Sequence, residues 1–564
     1  MRSINSFEKN KIQMYIVWGV GLIALLLVNL PLFSAQGNMH TGDDLWYHLL
    51  RIENVKEGLI AGQFPVRMGT NYLNHHGYAS SLCYPELFLY IPAVLRIMGM
   101  SVAGSYKAFI ILLNMSTFVA TYYCGWKISG NKIAGVIAAS IVLLSPYHLA
   151  NIYLRGALGE TQAYVFFPLV VLGLYELIFE EFEHPWIMGL GFWGLMYSHS
   201  ISLAIALCVC VVASVICFRR VFLNQKKVIR VMITAVIVLL ASCSFWGALL
   251  EQLVTSEFNF SDKWTSVVDQ ALDWRKIVGV TKNRYTFGCI FLALCGCGAL
   301  CLFPKWGNKK DDRIKVIWLF ALGGICLYAC TKYFPWTIAA KLLNSIQFPW
   351  RIYAIASLFL ALGIGYVLAI HFEKYARIVC LIVTGIMAIE ASLYIKDNRI
   401  SYVNISSNPY VDMMDTFSIV QAEWLPKGVE IAGLTGERVV IDQEKNSVDY
   451  EVDRKGHIWF YASGDSAYYD VPFLLYRGYS AVLTDEETGS RTELRLSNEG
   501  RQKTIRVYVP EQITGTIEVG YTGTFVQKAC DVVTLLTIVV FALYMGNYLR
   551  IQRKRINDFE KTKA

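Results

Sequence analysis

Apolar runs of about 20 residues recur along this chain, from Met14–Phe33 to residues 529–549. That recurrence constrains the fold more than any other feature. An α-helix rises about 1.5 Å per residue, so a run of this length matches a hydrocarbon layer about 30 Å thick. Inside lipid, only helices and closed barrels satisfy their own backbone groups. Of the 564 residues, 55% are hydrophobic and only 17% charged, too little charge to coat a soluble protein of this length. The chain therefore reads as a polytopic α-helical membrane protein. Met14–Phe33 lacks a small-residue cleavage site in the expected place and reads as a retained helix rather than a signal peptide.

Basic residues set the expected orientation, because they concentrate in cytoplasmic loops. Lys and Arg gather at Arg2–Lys11, Lys127–Lys132, Arg219–Arg230, Lys305–Lys315, Lys374–Arg377 and Arg550–Arg555. All of these fall inside if spans lie near 14–33, 106–126, 133–149, 161–180, two within 185–218, 229–250, 285–303, 314–331, 352–371, 377–395 and 529–549. About twelve helices with both termini cytoplasmic, in the plasma membrane, is the expectation. Tyr84–Met100 contains Pro85, Glu86, Pro92 and Arg96 and reads as a juxtamembrane helix; counting it as a span would invert the two strongest basic loops. Between the last two spans, runs such as His457–Ala462 and Thr504–Val509 alternate and are punctuated by Gly, Asn and Pro, which predicts a small extracytoplasmic β-sandwich. The expected divisions are 1–395 (a membrane domain with its first outer loop and juxtamembrane helices at 35–104), 396–528 (the β-rich domain) and 529–564 (a final helix and basic tail). Nothing suggests nucleic-acid binding. The 14 cysteines fall almost wholly in apolar runs and form no C-x-x-C pair, so neither a disulfide framework nor a metal site follows.

The chemistry-bearing residues collect on the outer segments. The first outer loop carries Asp43, Asp44, His48, Arg51 and Arg67; the second carries His148, Arg155 and Glu160; a later turn carries His199; the segment before 352–371 carries Gln347 and Arg351. On a helix Asp44, His48 and Arg51 project from one face. A transporter more often buries its ionisable groups near the bilayer midplane and repeats the pattern between two halves. Acids and arginines at the membrane surface instead suit transfer of a group from a lipid phosphate: a carboxylate takes the proton of an attacking hydroxyl, and the guanidinium fork holds the departing phosphate. The structural alternatives are Asp44 as a helix cap, Arg51 and Arg155 as head-group anchors, and Glu160 as a bridge to Arg155. No H-E-x-x-H pattern supports a metal centre.

The acidic pair after the first span, the proline-containing juxtamembrane helix and the second acidic motif resemble the GT-C superfamily of integral-membrane glycosyltransferases. Gln347-Phe-Pro-Trp-Arg351, with the outer β-domain and single closing span, is similar to the bacterial YfhO-like family within it. The resemblance implies a polyprenyl-phosphate sugar as donor, an envelope polymer, lipid or protein hydroxyl as acceptor, and the bilayer as partner. It makes Asp43 the match to the first acid of the pair, the usual base, and Glu160 the match to the second acidic motif; the choice of base between Asp43 and Asp44 stays open. Asp43, Asp44 and Glu160 are the catalytic candidates, and His48, Arg51, Arg67, His148, Arg155, His199, Gln347 and Arg351 the substrate-binding ones. Relatives often place a lysine where this chain has His199. No cofactor is required, although Mg or Mn is compatible with the acids. A lipid-linked glycan flippase and a non-catalytic envelope scaffold are the competing classes.

Overall fold

The computed structural model describes residues 2–259, 265–279, 284–303, 306, 309–406, 423–510 and 512–563. The chain gathers into two compact units. One comprises Met1–Ile60, Glu86–Val231 and Asp262–Gln421; the other comprises Ala61–Pro85, Met232–Ser261 and Ala422–Ala564. The polar stretch at 396–528 is thus divided, and its strands from Val440 onward share a unit with two earlier segments.

In chain order the principal helices are α1 (Arg2–Asn29), α2 (Leu45–Ile60), α3 (Tyr90–Ile97), α4 (Val102–Ser129), α5 (Lys132–Leu144), α6 (Pro146–Ala150) and α7 (Leu158–Phe179). There follow α8 (Pro185–Met196), α9 (Ser200–Ile216), α10 (Gln225–Ala241), α11 (Cys243–Thr255), α12 (Cys289–Leu300), α13 (Lys310–Ala329), α14 (Tyr353–His371), α15 (Ala376–Asn398) and α16 (Phe525–Lys563). Among the described residues five helices are long and apolar enough to cross a bilayer, and two bent pairs, α5 with Pro146–Arg155 and α10 with α11, raise the number to seven. Twelve were expected. Of the five expected spans outside these seven, two within 185–218 fold as helices of 12 and 17 residues and 285–303 as one of 12, while Met14–Phe33 and 314–331 fall in α1 and α13, helices of 28 and 20 residues. A 12-residue helix is about 18 Å long, well short of the hydrocarbon core.

The first unit has one large apolar core, to which α1, α4, α5, α7 and α14 all contribute. Two local features position its outer end. Ser145 is extended ahead of Pro146, where helical backbone is disfavoured, so the helix bends by 44° and continues to Arg155 through a widened turn, Asn151–Arg155. Strand β1 (Met39–His40) pairs antiparallel with β2 (Tyr402–Val403), tying the first outer loop to the chain just after α15. Glu390, an acid inside an apolar helix, accepts the backbone N–H groups of Ile290 (2.9 Å) and Phe291 (3.0 Å). It satisfies two donors that the first turn of α12 would otherwise leave unmade. Gly288 leaves room for it: a Cβ there would stand 2.5 Å from the carboxylate, and its φ is +104°.

The second unit contains β3 (Val440–Asp442), β4 (Ser447–Val448), β5 (Tyr450–Val452), β6 (Ile458–Ala462), β7 (Tyr468–Leu474), β8 (Tyr479–Asp485), β9 (Arg491–Ser497), β10 (Thr504–Tyr508) and β11 (Gly515–Tyr521). They form one antiparallel order, β4-β3-β7-β10-β9-β8-β11-β6-β5. The two edge strands, β4 and β5, are separated in sequence by Asp449 alone. Two Cα–Cα steps span at most about 7 Å, so the sheet's ends meet and the sheet rolls up around one core. That is a barrel-like arrangement where the sequence suggested a sandwich. Ile458, Phe460, Val471, Leu483, Ile505 and Ile517 fill it.

Candidate active site

The acidic stretch of the first outer loop is pinned to the end of the bent helix by backbone alone. Asp43 N–H donates to the Leu154 carbonyl (3.3 Å) and Asp44 N–H to the Arg155 carbonyl (2.6 Å). Two glycines permit this approach. A Cβ on Gly42 would sit 2.8 Å from the Gly156 nitrogen, and one on Gly156, which has φ +63°, would sit 3.0 Å from the Leu45 nitrogen. Side chains on α2 and on Asn151–Glu160 are thereby held in fixed register.

Glu160, in the first turn of α7, organises the site. Its Oε1 accepts Arg155 Nη1 (2.8 Å) and Arg351 Nε (3.0 Å), and its Oε2 accepts the Tyr147 hydroxyl (2.6 Å). The three ionic side chains are all at least nine-tenths buried. Arg351 also donates from Nη1 to Gln347 Oε1 (2.9 Å) and to the Ile346 carbonyl (3.1 Å), and Gln347 has φ +62°. The Arg155 guanidinium lies 4.8 Å over the Trp350 ring, and Trp350 stacks with Tyr285 (4.0 Å) and with Phe348 (4.8 Å). Two guanidiniums against one carboxylate leave this trio net positive. Arg155 Nε and Nη2 and Arg351 Nη2 have no protein partner among the described residues, so both arginines retain N–H groups for an anion.

The two adjacent aspartates differ. Asp43 is exposed; Arg284 Nη1 donates to its Oδ1 (3.1 Å) and the Tyr285 hydroxyl reaches its Oδ2 (3.4 Å). Asp44 is half-buried, and among the described residues its carboxylate has no hydrogen-bond partner, so it is not a side-chain helix cap. Burial pushes its pKa up and outweighs the pull of Arg155 and Arg351, with Asp43 and Glu160 adding to the rise. A free, reluctant carboxylate beside two cations is suited to accepting a proton.

His48 and Arg51 sit one turn further along α2. Arg51 is buried, pairs with Glu86 (3.2 Å) and donates to His48 Nδ1 (3.2 Å). Burial holds His48 well below the ordinary histidine range, with the charge of Arg51 adding to the effect. His199 caps α9, its Nδ1 accepting from the Ser202 N–H (3.3 Å). Burial takes it down to about 3, against the pull of Glu160. Asp43, Asp44, His48, Arg155, Glu160, His199, Gln347 and Arg351 thus lie in the first unit within one electrostatic neighbourhood. Arg51 belongs to the ion pair behind it. His148 points into the helix core towards Asn114 (2.9 Å). Arg67 lies in the second unit, where it pairs with Asp531 (2.5 Å) and Ser244. Sequence reasoning missed Tyr147, Asn151, Arg284 and Tyr285. Asn151 and Tyr147 precede Arg155 by four and eight residues, a helical spacing that placed all three on one face.

The oxygens of Glu160 face Arg155, Arg351 and Tyr147, and those of Asp43 face Arg284 and Tyr285. Among the described residues no group of three His, Cys, Asp or Glu side chains is placed to hold a metal ion.

Fold and site together define an integral-membrane protein with an ion-lined site at the ends of its helices. A family model matches residues 83–397, more than half of the chain, and the chain belongs to that family, described as a 6-pyruvoyl-tetrahydropterin synthase related domain, membrane protein. No curated protein matches it. Similar solved structures include the arabinofuranosyltransferase AftD from mycobacteria, at 16% identity and TM-score 0.43, covering 67% of this chain and 28% of that one. The oligosaccharyltransferase of Archaeoglobus fulgidus, in complex with Zn and sulfate, matches at 15% identity and TM-score 0.37, over 69% of this chain and 53% of that one. ArnT from Cupriavidus metallidurans, bound to undecaprenyl phosphate, matches at 11% and 0.36, over 69% and 76%. This chain therefore spans under a third of AftD and about half of the oligosaccharyltransferase.

Proposed function

We propose that this protein is a GT-C-type glycosyltransferase that moves a sugar from a polyprenyl-phosphate carrier to a hydroxyl acceptor on the extracytoplasmic face. The observation that carries the reading is the pairing of an unpartnered, raised-pKa carboxylate, Asp44, with the net-positive Arg155–Glu160–Arg351 trio. Asp44 takes the proton of the acceptor hydroxyl as its oxygen bonds to the anomeric carbon. The bond from that carbon to the phosphate oxygen breaks, and polyprenyl phosphate leaves with the electron pair. Arg155 and Arg351 hold that phosphate, which is more negative in the transition state than in the donor, so their contribution grows along the reaction. Glu160 orients both arginines and takes no proton. The step is a single displacement and inverts the anomeric centre. Asp43, held by Arg284 and Tyr285, borders the acceptor side.

Comparing Asp43→Asn with Asp44→Asn tests the assignment, using release of undecaprenyl phosphate from its sugar conjugates as the readout. General-base catalysis contributes about 10²–10⁴-fold, so Asp44→Asn should lose about that much of kcat and Asp43→Asn less than about tenfold. The reverse ranking would return the base to Asp43.

A further inference from the structure

The second unit holds a cleft that the proposed reaction does not use. It has about 400 Å³ of free space, part of it open to solvent, and is lined by residues of β3, β7, the turn before β10, and His76. Two runs of left-handed backbone at residues other than glycine border it. One is Leu73, Asn74 and His75 (φ +55°, +52° and +64°); the other is Gln502 and Lys503 (φ +61° and +64°). Such conformations are strained and persist only where the surroundings hold them. Here Asn74 Nδ2 donates to the Gly436 carbonyl (3.0 Å), and the His76 carbonyl accepts the Leu474 N–H (2.9 Å). Asp470 takes the Arg501 N–H (3.1 Å) and two N–H groups of Arg506 (2.7 and 3.1 Å), so its oxygens are engaged in holding the second run.

Four other polar side chains on the cleft are not engaged. His76 is only 4% exposed, and its Nδ1 meets the Leu73 carbonyl (2.8 Å), which only accepts, so Nδ1 carries the proton. Burial lowers its pKa against the pull of that carbonyl, which leaves the ring neutral and Nε2 a bare acceptor. Among the described residues Nε2 has no partner, and it is not sealed from solvent. Glu437, Arg501 and Gln502 are exposed, and their side chains likewise have no partner among the described residues. Gln502 lies across Gly433, where a Cβ would stand 3.2 Å from its Cδ. Val439, Ile441 and Pro472 supply an apolar wall.

The cleft thus offers two acceptors, His76 Nε2 and the Glu437 carboxylate, and donors from Arg501 and Gln502, beside an apolar surface. An anion would be opposed by Glu437 and by the His76 lone pair, and a cation by Arg501. Hydroxyl groups both donate and accept, and a sugar ring has an apolar face. We propose that this cleft binds one residue of a neutral glycan, at a site built from none of the side chains assigned to sugar transfer. The proposal stands whether or not the protein is a glycosyltransferase.

Saturation-transfer NMR on the full-length protein in nanodiscs tests it, with methyl glycosides of glucose, galactose, mannose and N-acetylglucosamine as probes and with glucuronate and inorganic phosphate as charged comparisons. The expected result is that at least one neutral glycoside binds. Glu437→Ala and Arg501→Ala, both at exposed positions, should each weaken that binding about tenfold or more, the loss of a hydrogen bond to a charged group. Asp44→Asn should leave it unchanged. His76→Phe should weaken it too, but it also releases the Leu73 carbonyl, so the two exposed variants decide. Absence of binding by any neutral glycoside, equal binding in wild type and both exposed variants, or loss of binding in Asp44→Asn would overturn the proposal. Tighter binding of glucuronate or phosphate, lost in Arg501→Ala, would also overturn it and make the cleft an anion site.

Discussion

Replacing Glu160 with Gln should destabilise the protein well beyond what an ordinary surface ion pair supports. The carboxylate lies between Arg155 and Arg351, with about 4% of its side chain exposed. Removing one partner from a buried pair costs about 3–5 kcal/mol, because the remaining charge is left uncompensated. Here two guanidiniums lose the carboxylate that both of them bond among the described residues, but the Gln oxygen still accepts one of their bonds, which places the expected loss near the lower figure, about 3 kcal/mol. Unfolding followed by tryptophan fluorescence in detergent would measure it. Lys332→Met is the control: Lys332 and Asp273 also form a short pair (2.6 Å), yet it is well exposed, and its loss should lie within the scatter of the assay. Adding Arg351→Met to Glu160→Gln should restore part of the loss, since one uncompensated cation then remains instead of two. Equal transition temperatures for Glu160→Gln and Lys332→Met, or a double variant that is worse than additive, would refute the reasoning.

Three further outcomes follow from the same geometry. Asp44 has a raised folded-state pKa, so its contribution to stability is intact below the ordinary Asp range and is lost as pH rises through the raised value. Asp44→Asn should therefore leave the unfolding temperature unchanged in acid and raise it at neutral pH, while turnover falls; thermal melts across that range check the sign. Gly156→Ala places a Cβ 3.0 Å from the Leu45 backbone at a left-handed φ. It should cost about 1–3 kcal/mol and reduce turnover by displacing Asp44, measurable by melts and donor consumption together. EDTA should leave donor turnover unchanged, because the oxygens of Glu160 are already taken by Arg155, Arg351 and Tyr147 and those of Asp43 by Arg284 and Tyr285.

The membrane class was legible in the length of the apolar runs, and most residues that the structure brings together at the candidate site in the clustering of acids and arginines on outer segments. So was the division of 185–218 into two helices about the turn at Ser198–Ser200, while hydropathy left the length of the helix within 285–303 open: it runs for 12 residues. The rolled sheet was hidden for a similar reason: alternation marks the strands of a sandwich and of a barrel alike, and only the one-residue link between β4 and β5 tells them apart. Within the site, Asp43 and Asp44 look equivalent in sequence. Their difference comes from Arg284 and Tyr285, about 240 residues away, which engage one and leave the other free. Glu160 and Arg155 read as either a structural bridge or a functional pair; the structure makes them a bridge whose second arginine, Arg351, arrives from a distant segment.

The central claim is that the sugar leaves its lipid phosphate here. The most direct measurement incubates the full-length protein in nanodiscs with undecaprenyl-phosphate sugars and candidate hydroxyl acceptors, and quantifies free undecaprenyl phosphate and new glycoside together. Both should appear in a one-to-one ratio, with inverted anomeric configuration, and both should be lost in Asp44→Asn. Recovery of an intact lipid-linked sugar that has only changed leaflets in proteoliposomes would contradict it and make the protein a transporter.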